Sequence, residues 1–377
     1  MDFRRSRTAH RSAVQRRGRG LNLRARGRCE DSFGRQAAIR LQRLWIMNDP
    51  THNPIPPADA RLRRVVVDEH ERETADSVQA ALGPEWTVER VGAAALIELL
   101  LGRGAAPGLA LVPFDRARSL LEAMPTGSAD LSDWAGAASG PGVPSQLPLI
   151  AIIDGAANPH DYFPLVHKRR LRGVVHASYL RDGPLLSRIL QTLADPPGVH
   201  GLQSLRLSES PVAREQVREL PERHALIDKV CEEAAAAFDR DYQVTEHRLA
   251  IEEILNNALF HAFKDKDGRD LYGPVFPDRL RQGRRVAIEY QADSRLFAFS
   301  ITDNGGTLPA DLIRAKIQNQ LSGQDLLKGH GRGLFLTFSF SNIFWASLVR
   351  GRLTQMVIAF FRRRAACEKL FLIHSDH

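Results

Sequence analysis

Three polar side chains share one stripe of an otherwise apolar helix that the sequence predicts over residues 244–263. Glu253, Asn257 and His261 follow one another every four residues, which places them one turn apart along one edge of the helix. A carboxylate can accept a proton from water or a hydroxyl group, and an amide oxygen can bind Mg²⁺. An exposed polar stripe would give the same pattern, so the choice between the two depends on the rest of the chain.

A second candidate motif, ITDNGGTLP, follows a strand of alternating apolar residues. The strand ends at Asp303, and Gly305 comes two positions later. Acidic and glycine residues at the end of a strand usually form an ordinary turn. The motif gains meaning only from its position between the polar helix and the glycine-rich segment that comes after it.

That glycine-rich segment is KGHGRGLFL, in which three alternating glycines stand directly before a predicted helix: Gly329, Gly331 and Gly333. Free backbone N–H groups and the positive end of a helix dipole together favour anions such as phosphate. Lys328, His330 and Arg332 add positive charge. A Rossmann dinucleotide site would need the glycines directly after the first strand of a βαβ unit, and here they come late in the chain.

The elements that must position these motifs lie within residues 205–362. Helices are predicted from the segments 244–263, PADLIRAKIQNQ and GLFLTFSFS, and a long one within PVAREQVRELPERHALIDKVCEEAAAAF. Strands are predicted from QSLRLSES, RRVAIEYQA, RLFAFSITD, NIFWASLV and LTQMVIAFF, and the second and third of these should be adjacent and antiparallel. The sequence therefore predicts an α/β sandwich with a mixed, mostly antiparallel sheet.

The pattern E-x-x-x-N-A-x-x-H-A from Glu253 onward, with the two later motifs in the same order, resembles the GHKL family of ATPases, above all the anti-sigma-factor serine kinases. The resemblance covers about 160 residues. One departure is the longer insertion at 264–283. A second departure is at the Asp303 motif, where Thr307 stands at the family's second glycine position and the glycine, Gly306, comes one residue earlier.

The resemblance implies ATP and Mg²⁺ as ligands. It implies that Asn257 binds the Mg²⁺, that Glu253 is the general base, and that Asp303 and Gly305 bind adenine. The phosphates would lie against the glycine-rich segment, and His261 and Arg332 are further candidates for phosphate contact. Thr354, near the start of the last predicted strand, is a candidate for the adenine pocket, although an ordinary strand threonine would look the same.

Residues 63–195 alternate strands and helices and predict a doubly wound parallel sheet. The order of elements resembles the receiver domain of response regulators, with a degenerate site, which would serve for docking or dimerisation. A phosphorylatable receiver and an unrelated Rossmann-like domain are the alternatives. Asp68 and Glu69 match the acidic pair of that family, but Pro113 stands at the phosphoacceptor position and Asp115 comes two residues late. Ile153 replaces the Ser or Thr of the fourth strand. We expect a linker at 196–204 and a tail at 363–377.

The charge of the chain is unevenly distributed. Residues 1–46 contain 13 Arg and three acidic residues, a charge of +10, so the rest of the chain carries −2 of the total +8. We interpret residues 1–62 as an Arg-rich leader. It is a nucleic-acid-binding arm, a targeting peptide, or translated sequence upstream of a true start at Met47. Three distant cysteines and the lack of any long apolar run predict a cytoplasmic protein that does not enter a membrane.

The preferred hypothesis is therefore an ATP-dependent serine/threonine kinase of the anti-sigma type that acts on a protein partner. The partner would be an antagonist protein or a sigma factor, and a homodimer is possible. A non-catalytic ATP-binding regulatory module and a histidine-kinase-like protein are the alternatives, while nucleic-acid binding by the body of the protein is not expected.

Overall fold

The computed structural model describes residues 63–375, except for 83–85, 101–108, 124–148, 156, 168–170, 195–196, 220, 239–243, 273–278, 325–331 and 366. The predicted leader at 1–62 and two of the three motif glycines, Gly329 and Gly331, lie outside this description. Residues 60–377 form one compact unit by their contacts.

The first five strands are parallel and lie in the order β2-β1-β3-β4-β5. Their central members are continuously apolar, as expected for strands buried on both faces. The strands are β1 Arg63–Asp68, β2 Trp86–Val91, β3 Leu109–Pro113, β4 Leu149–Ile153 and β5 Gly173–His176. The helices between and after them are α1 Arg72–Ala81, α2 Ala93–Leu100, α3 Phe114–Ala123, α4 Pro159–His167 and α5 Gly183–Ala194, with a 3₁₀ turn at Ala177–Arg181.

The next five strands pair with one another in antiparallel fashion, which confirms the predicted adjacent pair β7 and β8. They are β6 Ala213–Val217, β7 Val286–Ala292, β8 Leu296–Asp303, β9 Ile343–Val349 and β10 Leu353–Phe361. The helices of this half are α6 Gly201–Leu205, α7 Glu222–Phe238, α8 Val244–Asn256, α9 Ala310–Leu321 and α10 Gly333–Phe340.

A last strand, β11 Leu370–Ser375, joins the two sets of strands into one mixed sheet of eleven strands. It pairs antiparallel with β5 and parallel with β9. The segment predicted as a tail therefore lies in the centre of the sheet, where Leu370 and Phe371 are fully buried. The mixed α/β class is confirmed, and the sheet continues across the boundary predicted between residues 195 and 205.

One local prediction in this region is wrong, and one strand was not predicted. The segment QSLRLSES, predicted as a strand, contains the end of the short helix α6 and a loop. The next segment contains the predicted long helix, α7 from Glu222, and the residues before that helix form the edge strand β6, which was not predicted. Hydrogen bonding to β7 decides the conformation of β6, whose own residues are mostly half-exposed and polar.

Of the connection predicted as a linker, 196–204, the described residues 197–204 cross one face of the antiparallel strands and are held there by specific hydrogen bonds. The N–H of Gly198 donates to Ser347 Oγ, and the N–H of His200 donates to Gln355 Oε1 at 2.9 Å. The N–H of Leu202 donates to a carboxylate oxygen of Glu289. Because the partners are side chains of β7, β9 and β10, this connection is fixed to the sheet.

On the other face, Lys369 fixes the C-terminal end of α10. Its buried ammonium donates to the carbonyl groups of Phe338, Ser339 and Ser341, which have no partner within the helix. Burial lowers the pKa of Lys369 to about 7. The residue before β11 thus binds the end of a helix whose other end carries Gly333 of the glycine motif.

Candidate functional site

The predicted polar helix exists and changes its winding within the motif. Helix α8 ends at Asn256, and a π-helical turn follows over Asn257–His261. Such turns are frequent at functional sites. The apolar face that was predicted for this helix is buried, including Ile251, Leu255 and Leu259.

Glu253 points from α8 toward the first turn of α10. A Cβ atom built on Gly333 would lie only 1.9 Å from Glu253 Oε2 and 2.2 Å from its Cδ. The glycine is therefore needed for the carboxylate to reach this place. Burial and the nearby charge of Glu252 raise the pKa of Glu253.

The two neighbouring asparagines of the motif have different surroundings. Asn256 Oδ1 accepts a 2.7 Å hydrogen bond from Arg223, so its side chain has a structural role. Asn257 is half-buried, and within the described part of the chain its amide makes no side-chain hydrogen bond. An amide that is held by the helix and not used by the fold is suited to bind a ligand.

His261, the third member of the stripe, is paired with an acidic residue of the insertion. Its Nδ1 lies 3.1 Å from Asp270 Oδ2, and Lys264 binds the other oxygen of the same carboxylate. The imidazole is 61% exposed. Asp270 was not among the predicted site residues, because nothing in the spacing of a polar insertion indicates which of its acids folds back on the helix.

Asp303 ends β8 as predicted and is fully buried. One carboxylate oxygen, Oδ1, accepts hydrogen bonds from the N–H groups of Gly305 at 2.9 Å and Gly306 at 3.2 Å. Desolvation raises the pKa of Asp303 to about 7, although these hydrogen bonds and the nearby Thr354 hydroxyl act in the opposite direction. Thr354 stands directly opposite in β10, and its buried hydroxyl makes no hydrogen bond of normal geometry.

The glycines after Asp303 bring two elements into close contact with it. A Cβ on Gly305 would lie 1.8 Å from the carbonyl oxygen of Ala262, at the end of the π-helical turn. Gly306 has a φ of +59°, and its Cβ would lie 2.3 Å from the backbone nitrogen of Arg352. Glycine is therefore required at both 305 and 306, because a side chain at either position would overlap with neighbouring backbone.

We expect Gly306→Ala to destabilise the protein by about 2–4 kcal/mol, since a positive φ and a clash with backbone act together. Gly268→Ala is the matched control. Gly268 also has a positive φ, +77°, but nothing lies within 4 Å of its Cβ position, so only the conformational strain should appear. Urea unfolding of both variants measures the difference. Equal losses of stability would show that the backbone contact of Gly306 contributes nothing.

The glycine-rich segment is described only from Arg332 onward. Arg332 is exposed at the start of α10, and Gly333 is the first residue of that helix. Helix α10 packs against α8. The structure therefore brings Glu253 to Gly333, the end of the π-helical turn to Gly305, and Asp303 to Thr354, whereas Gly329 and Gly331 lie outside the described residues.

The donors for a metal at this site are few. Within the described ranges, no group of three or more His, Cys, Asp or Glu side chains could hold a metal ion. An amide such as Asn257 fits Mg²⁺ that keeps waters and phosphate oxygens as its other ligands, because that ion seldom uses an all-protein site.

Asp68, which matches the acidic pair that binds metal in the receiver family, is paired with an arginine in this structure. Asp68 is 2% exposed, and its Oδ2 accepts a 2.7 Å charge-assisted hydrogen bond from Arg116 Nε on α3. Its Oδ1 accepts from the N–H of His70. An arginine thus supplies the positive charge next to this carboxylate.

Comparison with models of known protein families finds none that matches this chain, and comparison with curated proteins finds no significant match. Among the helices that the structure describes, none has the length and apolar character needed to cross a membrane.

Proposed function

We propose that this protein binds ATP with Mg²⁺ and transfers the γ-phosphoryl group to a serine or threonine of a partner protein, as the GHKL anti-sigma kinases do. The observation that carries the proposal is the convergence of three separate motifs. Glu253 reaches the start of α10, while Asp303 lies buried at the end of β8, beside glycines that contact the end of the π-helical turn. A buried carboxyl group beside glycines is the arrangement that the GHKL resemblance implies for an adenine pocket.

Each residue would have a role that follows from its surroundings. Asp303 Oδ1 accepts hydrogen bonds from two backbone N–H groups, so the other oxygen would accept a hydrogen bond from the exocyclic amine of adenine. Asn257 would hold Mg²⁺ through its amide oxygen. The ion would neutralise phosphate charge when it is bound. Arg332 and the first turn of α10 would face the phosphates.

Glu253 would accept the proton of the attacking hydroxyl group. Its pKa is raised in the direction of neutral pH, and a general base is more effective when its pKa is near the working pH. His261 is exposed and oriented by Asp270, which suits a contact with phosphate or with the incoming partner.

The first half of the chain would serve as a docking module. Its strand order, 2-1-3-4-5, is the order of the flavodoxin-like folds that include receivers. The ion pair of Asp68 with Arg116 favours a module that does not use Mg²⁺ or phosphate. Helix α4 of this half packs against α9, the helix before the glycine-rich segment. The partner would be an antagonist protein or a sigma factor in the cytoplasm.

The proposal is tested first by binding. ATP or ADP at 100 times the dissociation constant should stabilise the protein by about 2.7 kcal/mol, and the effect should depend on Mg²⁺. Thermal unfolding measures this directly. If no adenine nucleotide shifts the midpoint, the ATP site does not exist.

The second test is transfer of label from γ-labelled ATP to a candidate antagonist encoded by a neighbouring gene. Transfer to a Ser or Thr supports the kinase. Tight nucleotide binding without transfer to any such partner would favour the alternative of a regulatory module that only binds ATP.

A further inference from the structure

A cavity of about 680 Å³ lies at the end of the antiparallel strands away from Asp303 and Thr354. In the pairing of β8 with β10, Asp303 is opposite Thr354, and Leu296 is opposite Phe361 at the other end. Strands rise about 3.3 Å per residue, so the two ends are roughly 20 Å apart. The cavity is therefore separate from the proposed nucleotide site. It is lined by Phe238, Glu246, His247, Phe340, Asn342, Phe360, Phe361, Arg362, Arg363 and Arg364.

The wall on the helix side is apolar and aromatic. His247 is 3% exposed, and its ring lies 4.2 Å from that of Phe360 and 5.9 Å from that of Phe238. Burial lowers the pKa of His247 to about 4, so the imidazole is neutral at physiological pH. His247 therefore adds no positive charge, and the aromatic surface that a ligand can reach belongs to the half-buried Phe340 and Phe361.

The positive charge comes from three consecutive arginines in the turn that follows β10. Arg362 and Arg363 are exposed, and the backbone N–H of Arg362 donates to the carbonyl of Arg295. Arg364 is held in place, because its guanidinium stacks on Tyr179 at 4.2 Å and lies 3.6 Å from Asp182. Among the lining residues that the structure describes, Glu246 is the one carboxylate against three arginines, so positive charge prevails among them.

We propose that this cavity binds a small organic anion with an aromatic body, such as an aromatic phosphate or carboxylate. Its volume is within the range of small-molecule sites, which combine apolar walls with a few charged groups that orient the ligand. The aromatic body lies against the half-buried Phe340 and Phe361, and the anionic group faces Arg362 and Arg363. A guanidinium group matches the geometry of phosphate and carboxylate oxygens.

The cavity also lies where the two halves of the sheet are connected. Arg364 contacts Tyr179 and Asp182 of the parallel half. Asn342 Nδ2 donates to the carbonyl of Ala365, and the carbonyl of Asn342 accepts from Tyr179. A ligand in the cavity therefore contacts residues that connect the two halves of the sheet, without touching the proposed catalytic residues.

The probe for this proposal is 1-naphthyl phosphate, with inorganic phosphate and 1-naphthol as its two separate parts. In calorimetric titration of the full chain, we expect saturable one-to-one binding of the whole probe, and much weaker binding of either part. Saturating MgATP should leave this binding unchanged, which separates it from the nucleotide site. Competition with MgATP, or the absence of saturable binding, would overturn the proposal.

The charged side of the site is tested by the double variant Arg362→Gln/Arg363→Gln. Two exposed ion pairs together account for roughly a tenfold change in the dissociation constant. The matched control is Arg279→Gln/Arg281→Gln, which removes the same charge from exposed arginines elsewhere. We expect the tenfold loss only in the first variant. Equal affinity in both double variants would show that the probe does not bind at this cavity. The outcome is independent of whether the protein binds ATP.

Discussion

Asp303→Asn should make the nucleotide-free protein more stable than the wild type at pH 8 and change its stability little near pH 4. Desolvation raises the pKa of Asp303 to about 7 in the folded protein. Between the unfolded value near 4 and this folded value, the folded state holds a proton that the unfolded chain has lost. Wild-type stability therefore falls as the pH rises through this interval, by on the order of 4 kcal/mol, and the asparagine variant lacks this loss.

The measurement is urea unfolding of both proteins at pH values from 4 to 8. Groups other than Asp303 titrate in both proteins, so they cancel in the difference. Asp293→Asn is the control with the opposite sign. Although burial opposes the effect, hydrogen bonds from Ser208 and from the N–H groups of Arg295 and Leu296 lower the pKa of Asp293. That variant should be less stable than the wild type at neutral pH. A pH-independent difference for Asp303→Asn would contradict the raised pKa.

The same substitution should weaken the binding of adenine nucleotides by about ten- to a hundredfold, which corresponds to the free-energy cost of one or two unfavourable polar contacts. Two backbone N–H groups fix the position of one side-chain oxygen. The amide nitrogen of asparagine must then take the other position, where it faces the amine of adenine as a second donor. Titration with ADP measures the loss. Unchanged affinity would remove Asp303 from the adenine pocket.

Glu253→Gln should reduce phosphoryl transfer by about 10²–10⁴-fold and leave the affinity for ATP within a factor of about three. Glutamine keeps the shape of the side chain but cannot accept the proton. Glu252→Gln is the neighbouring control, because Glu252 pairs with Arg248. Transfer measured under single-turnover conditions should change far less in this control, which removes only a charge that raises the pKa of Glu253. Full transfer by Glu253→Gln would exclude Glu253 as the base.

Gly333→Ala tests the placement of the same carboxylate without removing it. The new methyl group would overlap with Glu253 Oε2, so the flexible side chain must rotate away. Alanine is also favoured over glycine inside a helix, so the overall stability should change little. We expect transfer to fall by roughly 10–100-fold because the base is displaced from its position. Normal transfer would mean that the carboxylate acts from another place.

The parts of the fold that could be predicted are those with strong periodicity. The apolar faces of α8 and the alternation in β7 and β8 follow from local sequence, and these elements have the predicted positions. The edge strand β6 could not be predicted, because its polar residues are given a conformation by their pairing with β7. The contact of Glu253 with Gly333 joins residues that are eighty positions apart. In the sequence, only the order of the three motifs indicated that these residues would meet.

Other features depend on long-range contacts that leave no local trace. Gln355 looks like any polar strand residue, yet it accepts from the backbone of His200 and donates to Ser300 and Thr302. Asp270 lies among other acids of an insertion, and only the folded loop selects it as the partner of His261. Burial and pairing in three dimensions decide such roles, so spacing along the chain could not reveal them.

The central position of β11 has a consequence for how the chain folds. Leu370 pairs with Val175, and most of the C-terminal half of the chain lies between them. Closing so long a loop is slow, because chain entropy is lost before the contact forms. Until then, β5 and β9 each present an unpaired edge to solvent. We therefore expect a folding intermediate with two half-sheets that aggregates through these edges at high protein concentration.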